Sequence, residues 1–186
     1  KNLATILVNR GILEPDQAFS FLDPKLKDLL PNPFDLIDME KAADRIADAV
    51  INNEQITIFG DYDVDGATSS ALLKKFLYAV GLKPEVYIPH RLNEGYGPNK
   101  NAMDKIKEEH KSSLLVTVDC GIVAFEPLEY AKSIGLDVII LDHHLSQEKL
   151  PAVDAVVNPN RFDEEFEYKN LAAVGVVFLA TIVIRS

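Results

Sequence analysis

The sequence holds no tryptophan, two methionines and a single cysteine among its 186 residues. One cysteine excludes an internal disulfide, and with it the disulfide-stapled secreted scaffolds; a reducing, cytoplasmic setting is expected. Cations are scarce too: 19 Lys and Arg face 29 Asp and Glu, a formal charge of −10. That balance leans against a strongly basic nucleic-acid-binding surface. Long apolar runs are missing. The longest, at residues 171–184, has the length of a buried core helix rather than a membrane span, so no membrane partner is expected. The amino end, Lys1-Asn2-Leu3-Ala4, lacks the charged-then-apolar layout of a secretory signal and an initiating methionine, so the chain reads as a piece of something longer. What is present is the composition of an ordinary globular protein, 47% hydrophobic and 26% charged.

Along the chain, residues 1–36 read as a short helical extension. Leu3, Ile6, Leu7 and Ile12 recur at helical spacing, Gly11 punctuates, and Pro15 opens a second helix through Leu22. Pro31-Asn32-Pro33 is a breaker and the candidate linker. Asp38 is placed to cap a helix whose Met39, Ala42, Ala43, Ile46 and Val50 form one apolar stripe. Beyond it, β-rich runs at 55–59, 85–88, Leu114–Val118, Asp137–Leu141 and Ala155–Val157 alternate with helical stretches at 67–80, 99–110 and 125–134. Nearly continuous apolar strands separated by helices predict an α/β fold, a doubly wound, mostly parallel sheet covered on both faces.

Three of those strands run into acidic residues. The first leads to Gly60-Asp61-Tyr62-Asp63-Val64-Asp65-Gly66, the third to Asp119-Cys120-Gly121 and the fourth to Asp142-His143-His144. In an open parallel sheet the carboxyl ends of the strands share one edge, where ligands bind. Any one of these turns alone would be an ordinary loop or helix cap. Five carboxylates and two imidazoles brought together repel unless cations hold them, and a carboxylate-rich set suits Mn²⁺ or Mg²⁺. Asp61-x-Asp63-x-Asp65-Gly66 opens as an EF-hand loop does, but the twelfth position is Leu72 where a Glu is required. No Gly-x4-Gly-Lys-Ser/Thr phosphate loop occurs, and no serine or cysteine sits in a nucleophile elbow; Cys120 is expected to pack under the sheet edge. His90 and His110 receive no role, His110 lying in a charged helix tail of the kind that is usually solvated.

Taken together, Asp61-Tyr62-Asp63-Val64-Asp65-Gly66, Asp119 and Asp142-His143-His144 resemble the first three motifs of the DHH phosphoesterases. Within that superfamily the resemblance is to the branch of single-strand-specific 5′→3′ exonucleases. Other branches place a His four residues before the Asp-x-Asp pair, where this chain has Phe59. Pro89-His90-Arg91, Glu94-Gly95-Tyr96-Gly97 and Val157-Asn158-Pro159-Asn160-Arg161 are similar to the same branch, as is the segment from Asn9 to Pro31.

The resemblance implies hydrolysis of single-stranded DNA in repair and recombination, with two divalent cations, Mn²⁺ or Mg²⁺. It implies Asp61, Asp63, Asp65, Asp119 and His143 as the metal-binding set, with Asp119 the bridge and Asp61 alternatively a cap for the following helix. Asp142 would orient an imidazole, and His144 would face the scissile phosphate. Arg91 is either a phosphate clamp or a surface arginine, and Tyr96 either stacks on a base or belongs to a plain turn. The family's fourth metal-binding motif lies beyond a Gly-rich helix that residues 171–176 resemble, and the sequence stops at Ser186 before it. Residues 37–186 are thus expected to be a catalytic domain incomplete at its C-terminal end. Two alternatives stay open: a DHH phosphoesterase acting on oligonucleotides or small phosphoesters, and an inactive metal-binding fragment.

Overall fold

In the computed structural model, which describes residues 2–185, the apolar runs pair side by side into one parallel sheet. The chain forms two compact units that meet between Asn32 and Pro33, inside the Pro31-Asn32-Pro33 breaker. The first contains helices α1 (Asn2–Asn9), α2 (Pro15–Leu22) and the single turn α3 (Leu26–Leu29). Pro15 opens α2 as its ring geometry favours, and Glu14 and Gln17 close its amino end in a capping box.

The second unit starts with a 3₁₀ turn at Pro33–Asp35 and helix α4 (Met39–Ile51). There follow β1 (Ile56–Gly60), α5 (Val64–Ala79), β2 (Glu85–Tyr87), the one-turn α6 (Arg91–Glu94), α7 (Lys100–Glu108), β3 (Leu114–Val118), α8 (Phe125–Ser133), β4 (Asp137–Leu141), β5 (Ala155–Val157) and α9 (Ala173–Arg185). The strands lie in the order β2-β1-β3-β4-β5 and every neighbouring pair is parallel. The fold is therefore the doubly wound α/β sheet that the alternation predicts. β1 and β3 are buried along their whole length because helices cover both faces. On one face α4, α5 and α9 pack over Ile58, Val116 and Ile139; on the other α7 and α8 pack over Phe59, Leu115 and Ile140. Successive strand residues thus serve opposite cores, as the two-residue period requires.

Two features of this arrangement position the site. The chain leaves β1 for β2 on one side and returns to β3 on the other, which opens a crevice at the carboxyl ends of β1 and β3. Register then levels the edge: Gly60 pairs with Val118, and Val118 with Leu141. The residues that follow, Asp61, Asp119 and Asp142, start from one line.

Several local expectations differ from what is found. Asp38 precedes α4 but sits at φ 62 and makes no side-chain cap. Its carboxylate accepts instead from Val156 N–H at 3.1 Å and Arg161 Nη1 at 3.0 Å, two partners more than a hundred residues away. α7 ends at Glu108, and His110 folds inward so that its Nδ1 lies 2.9 Å from Thr57 Oγ1. The solvated reading of His110 is thereby corrected: the chain reverses at Lys111, φ 58, and brings the ring to the sheet. α5 begins three residues earlier than its apolar face suggested because Asp63 caps it. The apolar run near the carboxyl end is α9, and no helix among the described residues is long and apolar enough to cross a membrane.

Leu73 of α5 is fully buried in the core that α5 shares with α4 and α9. Leu73→Ala should cost about 2–5 kcal/mol, the range for leucine truncation in a packed core. Urea denaturation checks this, and a loss well under 1 kcal/mol would contradict the packing described.

Candidate metal centre

At the carboxyl end of β1 the chain turns straight into α5. Asp63 is the N-cap: its Oδ1 accepts from the N–H groups of Asp65 and Gly66, each at 2.9 Å. The cap role open to Asp61 thus belongs to Asp63, while Asp61 accepts from Tyr62 N–H at 2.7 Å. Gly66 packs directly on backbone here, and Gly60 on a side chain. A Cβ on Gly66 would lie 2.4 Å from the Asp61 carbonyl oxygen, and one on Gly60 would lie 2.1 Å from Ser70 Oγ.

Asp65 points away from its own helix. Its Oδ2 accepts from Ala173 N–H at 2.8 Å and its Oδ1 from Val174 N–H at 2.9 Å, so it closes the amino end of α9.

β3 delivers Asp119 in the left-handed region at φ 59, a conformation Asp tolerates better than most residues. Asp119 is 1% exposed. Its Oδ1 lies 3.3 Å from His143 Nε2, and no N–H or hydroxyl among the described residues donates to its buried Oδ2, whose neighbour is the Asp63 carboxylate. An orphaned buried carboxylate oxygen is costly unless something fills the place of a partner.

β4 delivers Asp142-His143-His144. Asp142 is fully buried and accepts from Ile122 N–H at 3.1 Å, His143 N–H at 2.7 Å and the His144 ring Nδ1 at 2.7 Å. The His143 Nδ1 lies 3.1 Å from the Leu171 carbonyl. A carbonyl only accepts, so Nδ1 carries a hydrogen, and Nε2 faces Asp119 and, at 3.5 Å, Asp65. Asp61, Asp63 and Asp119 offer ligand atoms within 4.8 Å of one another, and so do Asp119, His143 and His144. Asp119 is common to both sets. The donor types and the orphaned oxygen fit a cation.

The electrostatics follow from this crowding. Burial, then the charges of Asp65 and Asp63, push the Asp119 carboxyl up to about 8. Burial raises Asp61 as well, whereas the Gly66 N–H holds Asp63 below the usual carboxylate range. Burial works to raise Asp142, but hydrogen bonds from His144 and Ile122 outweigh it and hold the carboxyl low. The Asp142 hydrogen bond lifts His144 to about 9. Cys120 packs beneath the edge, fully buried, and burial pushes its thiol well up, which leaves it unreactive.

Arg91 and Tyr96 also reach this edge, and so does a residue that sequence reasoning passed over. The Arg91 guanidinium stands 5.0 Å from the ring centroid of Tyr62, which meets Tyr96 edge-on at 6.5 Å. Tyr62 lies inside the acidic motif, so an aromatic there was the available signal. Tyr96, Val123, His144 and Leu145 line a cleft of about 400 Å³ beside the carboxylates. The Leu171 carbonyl and the Ala173 and Val174 amides act through main chain and left no side-chain signal.

Residues 55–183 match the model of the DHH family, N-terminal domain, and the chain belongs to that family. Over nearly its whole length it is similar to RecJ proteins. It is 44% identical over 176 residues to the single-stranded-DNA-specific exonuclease RecJ of Bacillus subtilis (strain 168), covering 95% of this chain and 22% of that one. A crystal structure of exonuclease RecJ bound to manganese superposes with TM-score 0.74 at 34% identity, over 81% of this chain and 38% of that one. RecJ from Thermus thermophilus, in complex with Mn²⁺, gives TM-score 0.73 at 30% identity, over 98% of this chain and 24% of that one. The chain thus spans less than a third of the length of the B. subtilis relative.

The raised Asp119 sets a pH dependence. Unfolded, this carboxyl loses its proton near 3.8; folded and metal-free, it keeps it to about 8. The folded state therefore binds the extra proton between these values, and stability falls as pH rises through the window. Asp119→Asn, isosteric and at ease in the left-handed region, should raise the melting temperature in EDTA at pH 8 and flatten its decline from pH 5. His144, whose contribution is lost between about 6.5 and 9, leaves a shallower slope in both proteins. An unchanged or lowered melting temperature at pH 8 would remove Asp119 as the repelling group.

Proposed function

We propose that this chain carries the metal centre of a phosphodiesterase that degrades single-stranded DNA from its 5′ end, in DNA repair and recombination in the cytoplasm. The observation that carries the reading is the buried Oδ2 of Asp119, reached by no N–H or hydroxyl donor among the described residues, in a residue common to two sets of potential ligands. The similarity to RecJ exonucleases and to manganese-bound RecJ supports it. In this reading Asp61, Asp63 and Asp119 would hold one cation, and Asp119 and His143, with Asp65 3.5 Å from the His143 Nε2, would hold a second, which leaves His144 to the substrate. Bound there, Mn²⁺ or Mg²⁺ supplies an activated water and stabilises charge on the attacking and leaving oxygens.

The chain's own residues do the rest. Arg91, braced on the Tyr62 ring, offers its planar fork to phosphate oxygens. Tyr96 stands at the cleft with its ring available for stacking on a base. His144, its Nδ1 held by Asp142, would present a proton at Nε2 to the leaving oxygen. The Asp142 carboxylate keeps that ring oriented and balances its charge.

Two measurements on the full-length gene product test this. Asp119→Ala should abolish Mn²⁺-dependent degradation of 5′-labelled single strands; losing several kcal/mol of charge stabilisation is about a thousandfold in rate. Activity at the parent level, in a variant with parent far-UV circular dichroism, would sink the assignment. Arg91→Ala should weaken binding of 5′-phosphorylated oligonucleotides by about tenfold or more relative to 5′-hydroxyl ones, the scale of a charge-assisted hydrogen bond. Equal weakening of both would remove the clamp.

A further inference from the structure

The two histidines are held by their main chain as well as by their rings, and the holders come from another strand. β5 ends at Val157, and Asn158, wholly buried, begins the next turn. Its Oδ1 accepts from Asn160 N–H at 2.7 Å, and its Nδ2 donates to the His144 carbonyl at 2.9 Å. Asn160 spends both hydrogens of its amide: Nδ2 donates to the His143 carbonyl at 2.6 Å and to the Lys169 carbonyl at 2.9 Å. Two residues past Lys169, the Leu171 carbonyl receives the His143 ring. Just beyond, the Ala173 and Val174 amides hold Asp65.

One amide group thus ties the loop that carries His143 to the segment that fixes the His143 ring. We propose that Asn160 is the positioning residue for His143, holding its main chain at a fixed distance from the Leu171 carbonyl and so aiming Nε2 between Asp119 and Asp65. The proposal rests on reading this edge as a metal centre. A side-chain amide suits the task because it offers two donors in one plane to two acceptors, and no other uncharged side chain of its length does so. An aspartate in its place has the same shape but presents oxygen to two carbonyl oxygens.

The test uses the full-length gene product as parent, Asn160→Asp and Asn160→Ala, with ¹⁵N-labelled histidine. In metal-free parent protein His143 Nδ1 should carry a hydrogen held in a hydrogen bond to the Leu171 carbonyl. Both variants should lose that signature, and calorimetric titration with Mn²⁺ should show affinity lowered about 10- to 100-fold, the usual effect of removing a group that orients a ligand. The Ala variant only deletes the two hydrogen bonds and carries the readouts if the Asp variant fails to fold. An unchanged Nδ1 hydrogen-bond signature and unchanged Mn²⁺ affinity in a folded variant would overturn the proposal. A lowered melting temperature with the His143 signature intact would do the same, since that is what a purely structural loop residue gives. Absence of Mn²⁺ binding by the parent would instead defeat the metal-centre reading, and the ring signature alone would then decide the role of Asn160.

Discussion

Burying a carboxylate is expensive unless its charge is answered, and this molecule is organised around answering Asp119. The residue sits at the end of a central strand with almost no exposure, and Asp63 and Asp65 stand close to it. Both neighbours are engaged by main-chain amides. Asp63 takes the first turn of α5, and Asp65 takes the first turn of α9. Two helices therefore direct their electropositive amino ends at the acidic edge, which offsets part of the repulsion before any cation binds. The His143 ring approaches from the remaining side.

The same demand explains the long-range connections. α5 and α9 are far apart in sequence, yet they share a core and the carboxylate of Asp65. The loop after β4 is gripped by the loop after β5, whose asparagines hold successive carbonyls of the histidine pair. Side chains that carry charge thus come from β1, β3 and β4, and part of what holds them still comes from elsewhere: asparagine amides after β5 and main-chain amides of α9.

The sheet could be read from the sequence because its central strands are continuous apolar runs bounded by turns, as at Ile56–Gly60 and Leu114–Val118. Parallel pairing in register then carries each strand-end aspartate to one line, so the acidic edge was legible as well. What could not be read was the division of labour inside it. Asp61, Asp63 and Asp65 all lie within reach of a helix start, and spacing alone does not say that Asp63 caps its own helix while Asp65 caps a distant one. Asp38 looked like a cap until its left-handed backbone turned its carboxylate toward Arg161. His110 looked solvated because the reversal at Lys111 has no glycine to announce it. Partners that act through peptide groups, such as Leu171 and Ala173, leave nothing in the side-chain pattern to find.

Gly60 and Gly66 set a final condition. Because Gly66 packs its α-carbon on the peptide of Asp61, and Gly60 packs on Ser70, the path from β1 into α5 has no slack. The loop behaves as a ruler with three marks at Asp61, Asp63 and Asp65, and its gradations are fixed by the contact of Gly66 with the Asp61 backbone together with the Asp63 cap. Evolution can therefore exchange Val64, exposed between two marks, without altering the interval, but not Asp63, which helps to set it. Lengthening the loop by one residue would change every interval at once.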